Sequence, residues 1–281
     1  METRIPACGL VAWVCLGVGG FQDLLSGQQV PAPTGDVLRA SFDARLDAVS
    51  QPLLPVLKWT RQEIATVEKD VADYTATLVA RERIGGKLSD YERTLVKVRH
   101  RPLSIYACVL VPEDHKGDEA IYVEGRNDGK LLGHTTGITG RLVGTVSLDP
   151  SGATAMEGQR HPITELGILA LCRRFGRLVE GDPAGAEPRV RFLPGVKVNG
   201  RVCTLVEVAH PAPCPKTQVQ MLRLFVDDEL KLPIRYEQYD WPKEAAAPAE
   251  LVEEYTFLDL KPNSGLTDAD FDVRNPGYAF P

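Results

Sequence analysis

The stretch DYTATLVARERIGGKLSDYERTLVKVRHRPLSIYACVLV, residues 73–111, decides the fold. Apolar and more polar side chains alternate over 74–81 and again over 94–99, which is the period of two that is typical of strands with one buried face. Gly85 and Gly86 lie between these runs and permit a tight turn. The stretch therefore predicts an antiparallel hairpin that continues into a third, more buried strand.

The same pattern continues along the chain after this hairpin. Including the first two runs, it predicts about eleven strands, the others at 103–111, 120–125, 130–136, 142–148, 190–193, 201–210, 218–226, 230–241 and 251–260. Short turns between neighbouring strands favour antiparallel pairing. Helices do not alternate regularly with these strands, which argues against a doubly wound α/β sheet.

Three segments have helical spacing instead. Two precede the strands, at 36–50 and 52–71, and the third, 163–175, interrupts the strand series and is apolar nearly all round. The predicted fold is therefore α+β. It is a long curved antiparallel sheet, an incomplete half-barrel, with the N-terminal helices and an inserted lid helix on its concave face.

The N-terminus has the pattern of a secretory signal peptide. Residues 5–21 carry no charged side chain and follow Arg4, and small residues end the stretch. We expect a signal peptide at 1–21, a Pro- and Gly-containing linker at 22–35 and a single domain at 36–281. An uncleaved N-terminal anchor is the alternative. Export places the protein in the periplasm or outside the cell.

The amino-acid composition and net charge argue against some classes of function. The chain has 281 residues, of which 43 % are hydrophobic and 25 % charged, with a formal net charge of −6. These values are typical of a globular protein and lack the basic footprint of a nucleic-acid binder. No long apolar stretch follows the leader, so we expect no integral membrane domain once the leader is removed.

The sequence contains no recognised catalytic signature. It lacks the Gly-x-Ser-x-Gly nucleophile elbow and the Gly-x-Gly-x-x-Gly phosphate loop, and its five histidines form no metal-binding pattern. We therefore expect no metal, no cofactor and no enzymatic activity. A cleft with converging histidine and carboxylate groups would reopen the question of an enzyme.

Four cysteines remain after the leader, and they allow three complete pairings. A Cys203–Cys214 disulfide is favoured because both residues flank one predicted turn. The alternative is that all four cysteines are buried free thiols.

Alternation also predicts which side chains face the concave side of the sheet. The candidate cavity residues are Leu78, Val96, Val98, Ile105, Ala107, Val109, Ile121, Val123, Val206 and Val208 on the strands and Leu166, Leu169 and Phe175 on the lid. If the helices cover this face completely, these residues form an ordinary core. If the cover is partial, they line an apolar cavity suited to an acyl chain, because each buried CH₂ group contributes about 0.8 kcal/mol.

Several separate motifs resemble one protein family in order along the chain. They are the stretch 73–106, EAIYVEGRNDGKLLGH (119–134), HPITELGI (161–168), VDDELKLPIRYEQYDWP (226–242) and the C-terminal stretch 253–280. The chain resembles the planctomycete domain-of-unknown-function family 1571 over about residues 52–281. The resemblance implies a fold similar to the lipoprotein carriers LolA and LolB. It implies no catalytic residues.

Two functional hypotheses follow. In the first, an exported protein binds a lipid or a lipoprotein acyl chain in the half-barrel. In the second, it is a ligand-free structural or interaction module of the cell envelope with a protein partner. The acidic turns, the basic residues of 81–101 and the C-terminal arm 262–281 would then be contact surfaces.

Overall fold

The computed structural model describes residues 53–137, 142–181, 188–213, 219–244 and 247–281. The predicted signal peptide (1–21), linker (22–35) and first helix (36–50) lie outside the described residues, as does Cys214. The predicted division into leader, linker and single domain therefore stays a prediction.

Twelve β-strands in the described part of the chain form one sheet. Their bounds are β1 Asp73–Ile84, β2 Lys87–Leu88, β3 Glu92–His100, β4 Leu103–Val111, β5 Glu119–Val123, β6 Leu131–His134, β7 Val146–Leu148, β8 Arg189–Val198, β9 Arg201–Ala209, β10 Val219–Asp227, β11 Pro233–Asp240 and β12 Glu250–Pro262.

The first and last strands meet near the middle of the sheet. β1 pairs with β3 on one side and with β12 on the other. From β3 the chain meanders outward to β7 at one edge, resumes with β8 at the opposite edge and returns through β9, β10 and β11 to β12. All these pairings are antiparallel, and among the described residues no pairing joins β7 to β8.

The sheet is therefore open, and the predicted α+β fold is confirmed. It has twelve strands instead of about eleven because a two-residue strand, β2, pairs with the end of β1. The segment between β7 and β8 must cross from one edge of the sheet to the other. It does so over one face, which we call the inner face.

Two helices cover part of the inner face. Helix α1 (Leu54–Asp70) matches the predicted helix at 52–71. Helix α2 (Ile168–Glu180) begins five residues later than predicted, because the backbone of Gly167 adopts a φ of +121° and residues Ile163–Glu165 form a short 3₁₀ turn. The helices pack closely where a Cβ on Gly176 would lie 3.2 Å from the Thr60 side chain.

The core lies between these helices and the inner face. Buried apolar side chains come from both helices and from strands on both sides of β1; among them are Val56, Val67, Tyr74, Val96, Val98, Ile105, Ile168, Phe175, Val206, Leu224 and Tyr236. The register explains this grouping: Val98 lies opposite both Tyr74 and Ile105, so these side chains share one face of the sheet.

The C-terminal segment 263–281 covers part of the opposite, outer face. Phe271 is buried against β4 and β5, and the Tyr278 ring stacks on Tyr106 with centroids 3.9 Å apart. Lys97 Nζ lies 2.8 Å from Asp270 Oδ1. The arm predicted to reach a partner therefore packs on its own sheet, and Lys97 of the basic group is paired within the chain.

Ion pairs between neighbouring strands cover another part of the outer face. The Glu207 carboxylate is fully buried and accepts hydrogen bonds from Nε of Arg191 and Nε of Arg223, each at 2.8 Å. Arg223 also pairs with Glu237 on β11. Opposite charges on adjacent strands stabilise this sheet face, which neither of the two described helices covers.

Candidate functional site

An apolar cavity of about 340 Å³ lies at the end of the inner face that the helices leave uncovered. Its floor is the sheet, and its roof is residues 149–167, which join β7 to α2 and which we call the strap. The floor includes Leu78, Ala80, Thr94, Ala107, Val109, Ala120, Leu131 and Phe257. The strap contributes Ala155, Pro162, Ile163 and Leu166 to the roof, and Leu171 of α2 lines the cavity beside them.

Small side chains in register make room for the cavity. Ala107 on β4 lies opposite Ala120 on β5, and Ala120 lies opposite Gly133 on β6. Paired residues on adjacent antiparallel strands point to the same face, so this row leaves a gap beneath the strap. Next to the row, Leu78, Thr94 and Val109 are also in register and form the neighbouring part of the floor.

A hydrogen bond at the start of α2 fixes the strap over the cavity. The backbone N–H of Ile168 donates to the buried Tyr74 hydroxyl at 3.0 Å. A Cβ on Gly167 would lie 2.5 Å from the same hydroxyl oxygen. Only glycine combines this close approach with the positive φ, and the position therefore determines where the roof ends and the helix begins.

A buried carboxylate ties the strap to β12. Glu253 Oε2 lies 2.7 Å from His161 Nε2 and accepts a hydrogen bond from Arg160 Nε at 2.9 Å. Arg174 of α2 approaches the other carboxylate oxygen at 3.5 Å. Burial alone would raise the pKa of Glu253, but the His161 hydrogen bond and the charges of His161, Arg174 and Arg160 outweigh it and hold the pKa below its usual range.

Glu82 is held beside this cluster. Its carboxylate accepts hydrogen bonds from the Tyr255 hydroxyl and from the backbone N–H of Arg160, the latter at 2.8 Å. Arg160 therefore contacts β1 through its backbone N–H and through Nη1, which donates to the Arg83 carbonyl, and it contacts β12 through Nε. Together these contacts form a polar rim at the mouth of an apolar cavity.

Two polar side chains of β3 line the cavity without a hydrogen bond or ion pair to any described residue. They are Glu92 and Thr94, two positions apart on the inner face. Thr94 is 8 % exposed and Glu92 is half-buried. Burial, with the nearby charge of Glu82 added, raises the pKa of Glu92 to about 9. Glu92 is therefore a neutral carboxylic acid at pH 7.

Other titratable groups also line the cavity. β1 and the β1–β2 hairpin contribute Glu82 and Lys87, the β4–β5 region contributes His115, Asp118 and Glu119, and the strap with α2 contributes His161, Glu165 and Arg174. Carboxyl side chains thus outnumber lysine and arginine around the cavity, which gives it an acidic lining.

The structure separates the predicted cavity residues into three groups. Leu78, Ala107, Val109 and Leu166 line the cavity. Six others belong to the core beneath the helices, with Leu169 packed against it: Val96, Val98, Ile105, Phe175, Val206 and Val208. Ile121 and Val123 lie on the outer face under Phe271, so their predicted inner-face position was wrong. Alternation identified Ile121 and Val123 as lying on the more buried side of β5, but that side meets the C-terminal segment and not the cavity.

The polar rim was missed by sequence reasoning. His161 and Glu253 are 92 residues apart and meet only through the crossing of the strap. The signal that could have identified Glu92 is its position, two residues before Thr94 on a face that is otherwise apolar.

A histidine and carboxylates do converge at this mouth, the condition that the sequence analysis set for considering an enzyme. Nε2 of His161 binds Glu253, and Nδ1 lies 3.9 Å from Glu165 Oε2. The hydroxyl of Ser89, also in the cavity lining, donates to the Asp90 carbonyl and accepts from the Glu82 N–H. The His161–Glu253 contact joins the strap to the sheet, and among the described residues no hydrogen bond links a hydroxyl to this histidine.

Metal-binding clusters and membrane-spanning helices are both absent from the described residues. Within the described ranges, no group of three or more His, Cys, Asp or Glu side chains could hold a metal ion. No helix in the part of the chain that the structure describes is long and apolar enough to cross a membrane. Cys203 is a buried thiol at the start of β9. Since Cys214 lies outside the described residues, the predicted disulfide stays a prediction.

The geometry defines a class of protein, an open antiparallel half-barrel with helices over one end of its inner face and a roofed apolar cavity at the other. The chain belongs to the family described as protein of unknown function DUF1571, whose family model matches residues 71–280. This match confirms the predicted family.

Similar solved structures have low sequence identity to the chain. The Mycobacterium tuberculosis lipoprotein LppX is 12 % identical, with 78 % of this chain and 99 % of that chain covered and a TM-score of 0.44. A chain of the Pseudomonas aeruginosa MucA/MucB complex is 15 % identical, with 77 % of this chain and 60 % of that chain covered and a TM-score of 0.42. A LolA superfamily protein of Nitrosomonas europaea is 11 % identical, with 77 % of this chain and 97 % of that chain covered and a TM-score of 0.32. No curated protein sequence matches the chain.

Proposed function

We propose that this protein is an exported cell-envelope protein that binds a lipid or a lipoprotein acyl chain in the cavity beneath the strap and catalyses no reaction. The leader pattern of residues 1–21 supports export to the periplasm or the cell exterior. The net charge of −6 lacks the basic footprint that is typical of nucleic-acid binders.

The roofed cavity is the observation that carries this proposal. Its volume of about 340 Å³ falls within the range of about 300–1,000 Å³ that small-molecule sites occupy. Leu78, Val109 and Phe257 give it an apolar floor. An acyl chain gains about 0.8 kcal/mol for each CH₂ group that it buries on such a floor. The polar rim at the mouth suits the less apolar end of the same molecule.

The cavity also weighs against the ligand-free interaction module. That alternative requires the inner face to be filled by the protein's own side chains. Here the row formed by Ala107, Ala120 and Gly133 leaves the face open beneath the strap. The C-terminal segment, one of the three surfaces predicted to contact a partner, packs against the outer face of the protein's own sheet.

The test is to fill the cavity. The Ala120→Leu substitution adds three carbon atoms within the floor, and Ala72→Leu makes the same change at an exposed position between α1 and β1. We expect the wild type and Ala72→Leu to bind the apolar fluorophore N-phenyl-1-naphthylamine and 1-palmitoylglycerol equally well, and Ala120→Leu to bind both at least tenfold more weakly. Equal binding by all three proteins would contradict the proposed site.

A further inference from the structure

Polarity changes along the inner face of β3. Val96 and Val98 lie under the helices and are 0 % and 1 % exposed. Thr94 and Glu92 follow toward the mouth and line the cavity. Within the cavity, β3 therefore presents a polar pair to a ligand whose apolar chain lies on the floor beside Leu78 and Val109.

This polar pair has no partner within the described residues. The Thr94 side chain is more than nine-tenths buried and faces an otherwise apolar floor between Leu78 and Val109. The Thr94 hydroxyl makes no hydrogen bond to a described residue and lies at the cavity surface, so a ligand acceptor placed there gains the net free energy of about one hydrogen bond. Glu92 lies beside Ala80, whose small side chain leaves the carboxyl accessible from the cavity.

The pair offers hydrogen-bond donors. Because Glu92 is neutral at pH 7, its carboxyl group donates one hydrogen bond, as the Thr94 hydroxyl does. Arg174, which also lines the cavity and is 5 % exposed, has an Nε–H without a partner. The complement of several donors is an acceptor such as a carbonyl oxygen.

The charges around the cavity restrict which acceptor fits. Glu82, Asp118 and Glu165 also line it, and only Lys87 and Arg174 provide permanent positive charge. Arg174 is already paired with Glu253 and Glu165. A ligand carboxylate at this place would meet like charges in a partly desolvated setting, which disfavours it.

We propose that the cavity selects a neutral long-chain acyl ester or amide over a free fatty-acid anion, with the ligand carbonyl oxygen held by Glu92 and Thr94 of β3. This inference rests on the proposed function and adds the chemical class of the ligand. Ester and amide present the same carbonyl acceptor, so the experiment distinguishes them by using both.

The test compares three probes of equal chain length at pH 7.5, namely 1-palmitoylglycerol, N-palmitoylethanolamine and palmitate. Each competes with N-phenyl-1-naphthylamine for the full chain and for three variants. Thr94→Val removes the hydroxyl at nearly constant volume, and Glu92→Leu removes the carboxyl. Thr77→Val is the matched control, because it makes the same threonine-to-valine substitution on the outer face of β1.

We expect the ester, the amide or both to bind at least tenfold more tightly than palmitate. Thr94→Val weakens the preferred probe about fivefold and Glu92→Leu about tenfold, which are the effects of losing about one hydrogen bond. Thr77→Val matches the wild type. The stronger of the two neutral probes identifies the linkage.

Two results overturn the inference and leave the proposed function in place. One is palmitate binding as tightly as the neutral probes. The other is a preference for neutral probes that survives both β3 substitutions. If neither the fluorophore nor any of the three probes binds the wild type, the proposed function fails and the inference fails with it.

Discussion

His161 Nε2 lies 2.7 Å from Glu253 Oε2, and this contact joins the strap to the last strand of the sheet. The carboxylate is 1 % exposed, whereas the histidine side chain is 25 % exposed. The contact therefore closes the roof of the cavity from the solvent side, and it couples the position of the strap to the charge of one buried residue.

Removing that charge tests the coupling. We expect Glu253→Gln to lower the free energy of unfolding by about 3–5 kcal/mol, because it removes the buried carboxylate partner of the Arg174 guanidinium and leaves only the partly exposed Glu165. Glu165→Gln removes a carboxylate that is partly exposed and should cost less than about 1 kcal/mol. Urea unfolding monitors both. Equal losses for the two variants would show that Glu253 does not hold the strap.

A second prediction concerns the glycine before α2. Gly167→Ala should lose about 2–4 kcal/mol, because the new Cβ has both a positive φ and a clash with the Tyr74 hydroxyl. Gly195→Ala also places a Cβ at a positive φ, but no atom lies within 4 Å of that Cβ. Its free energy of unfolding should therefore fall by only about 1 kcal/mol. Adding Tyr74→Phe to Gly167→Ala should recover part of the loss. Thermal unfolding that ranks Gly195→Ala as the worse variant contradicts this account.

The raised pKa of Glu92 predicts a pH-dependent difference between the wild type and Glu92→Gln. The folded protein holds the proton up to about pH 9, while the unfolded chain releases it near 4.5. The wild type therefore loses stability as the pH rises from about 4.5 to 9, relative to a variant that cannot ionise. We expect equal stabilities at pH 4 and an advantage for Glu92→Gln of about 1–2 kcal/mol at pH 8, discounted for partial exposure. A constant difference across this range would rule out the shifted pKa.

A fourth prediction concerns the C-terminal segment. Phe271→Ala should cost about 3 kcal/mol, because the ring is 3 % exposed and packs with Tyr106, Ile121 and Val123. Asp270→Asn removes one partly exposed ion pair with Lys97 and should cost under about 1 kcal/mol, with an effect that shrinks in high salt. Denaturant midpoints measure both. A stability unchanged by Phe271→Ala would mean that this segment does not belong to the folded domain.

The architecture could be predicted from the sequence because strands and helices follow from local patterns of apolar and polar residues. Alternation in β1 and β3 places Leu78 and Val96 on the inner face, and the structure agrees. It could not assign Ile121 and Val123 to the correct face, since alternation identifies the more buried side of β5 but not that this side lies beneath the C-terminal segment. The covering segment lies more than 140 residues further along the chain.

The site depended on contacts that no local pattern encodes. The Ala107–Ala120 pair makes the cavity, but two small residues on separate strands are visible as a gap only once the register is known. Likewise, the charge state of Glu92 depends on its burial and on Glu82, which comes from a different strand. Val98, offered from the sequence as a cavity position, lies beneath α2, close to Gly167.

The most direct test of the central claim is native mass spectrometry of the mature protein purified from its own cell envelope, followed by solvent extraction. We expect a stoichiometric bound lipid on the wild type and on Ala72→Leu, its loss in Ala120→Leu, and a protein mass that lacks the leader at residues 1–21. A protein that is free of lipid in all three samples, and that takes up none when lipid is offered, would contradict the claim that the cavity binds an acyl chain.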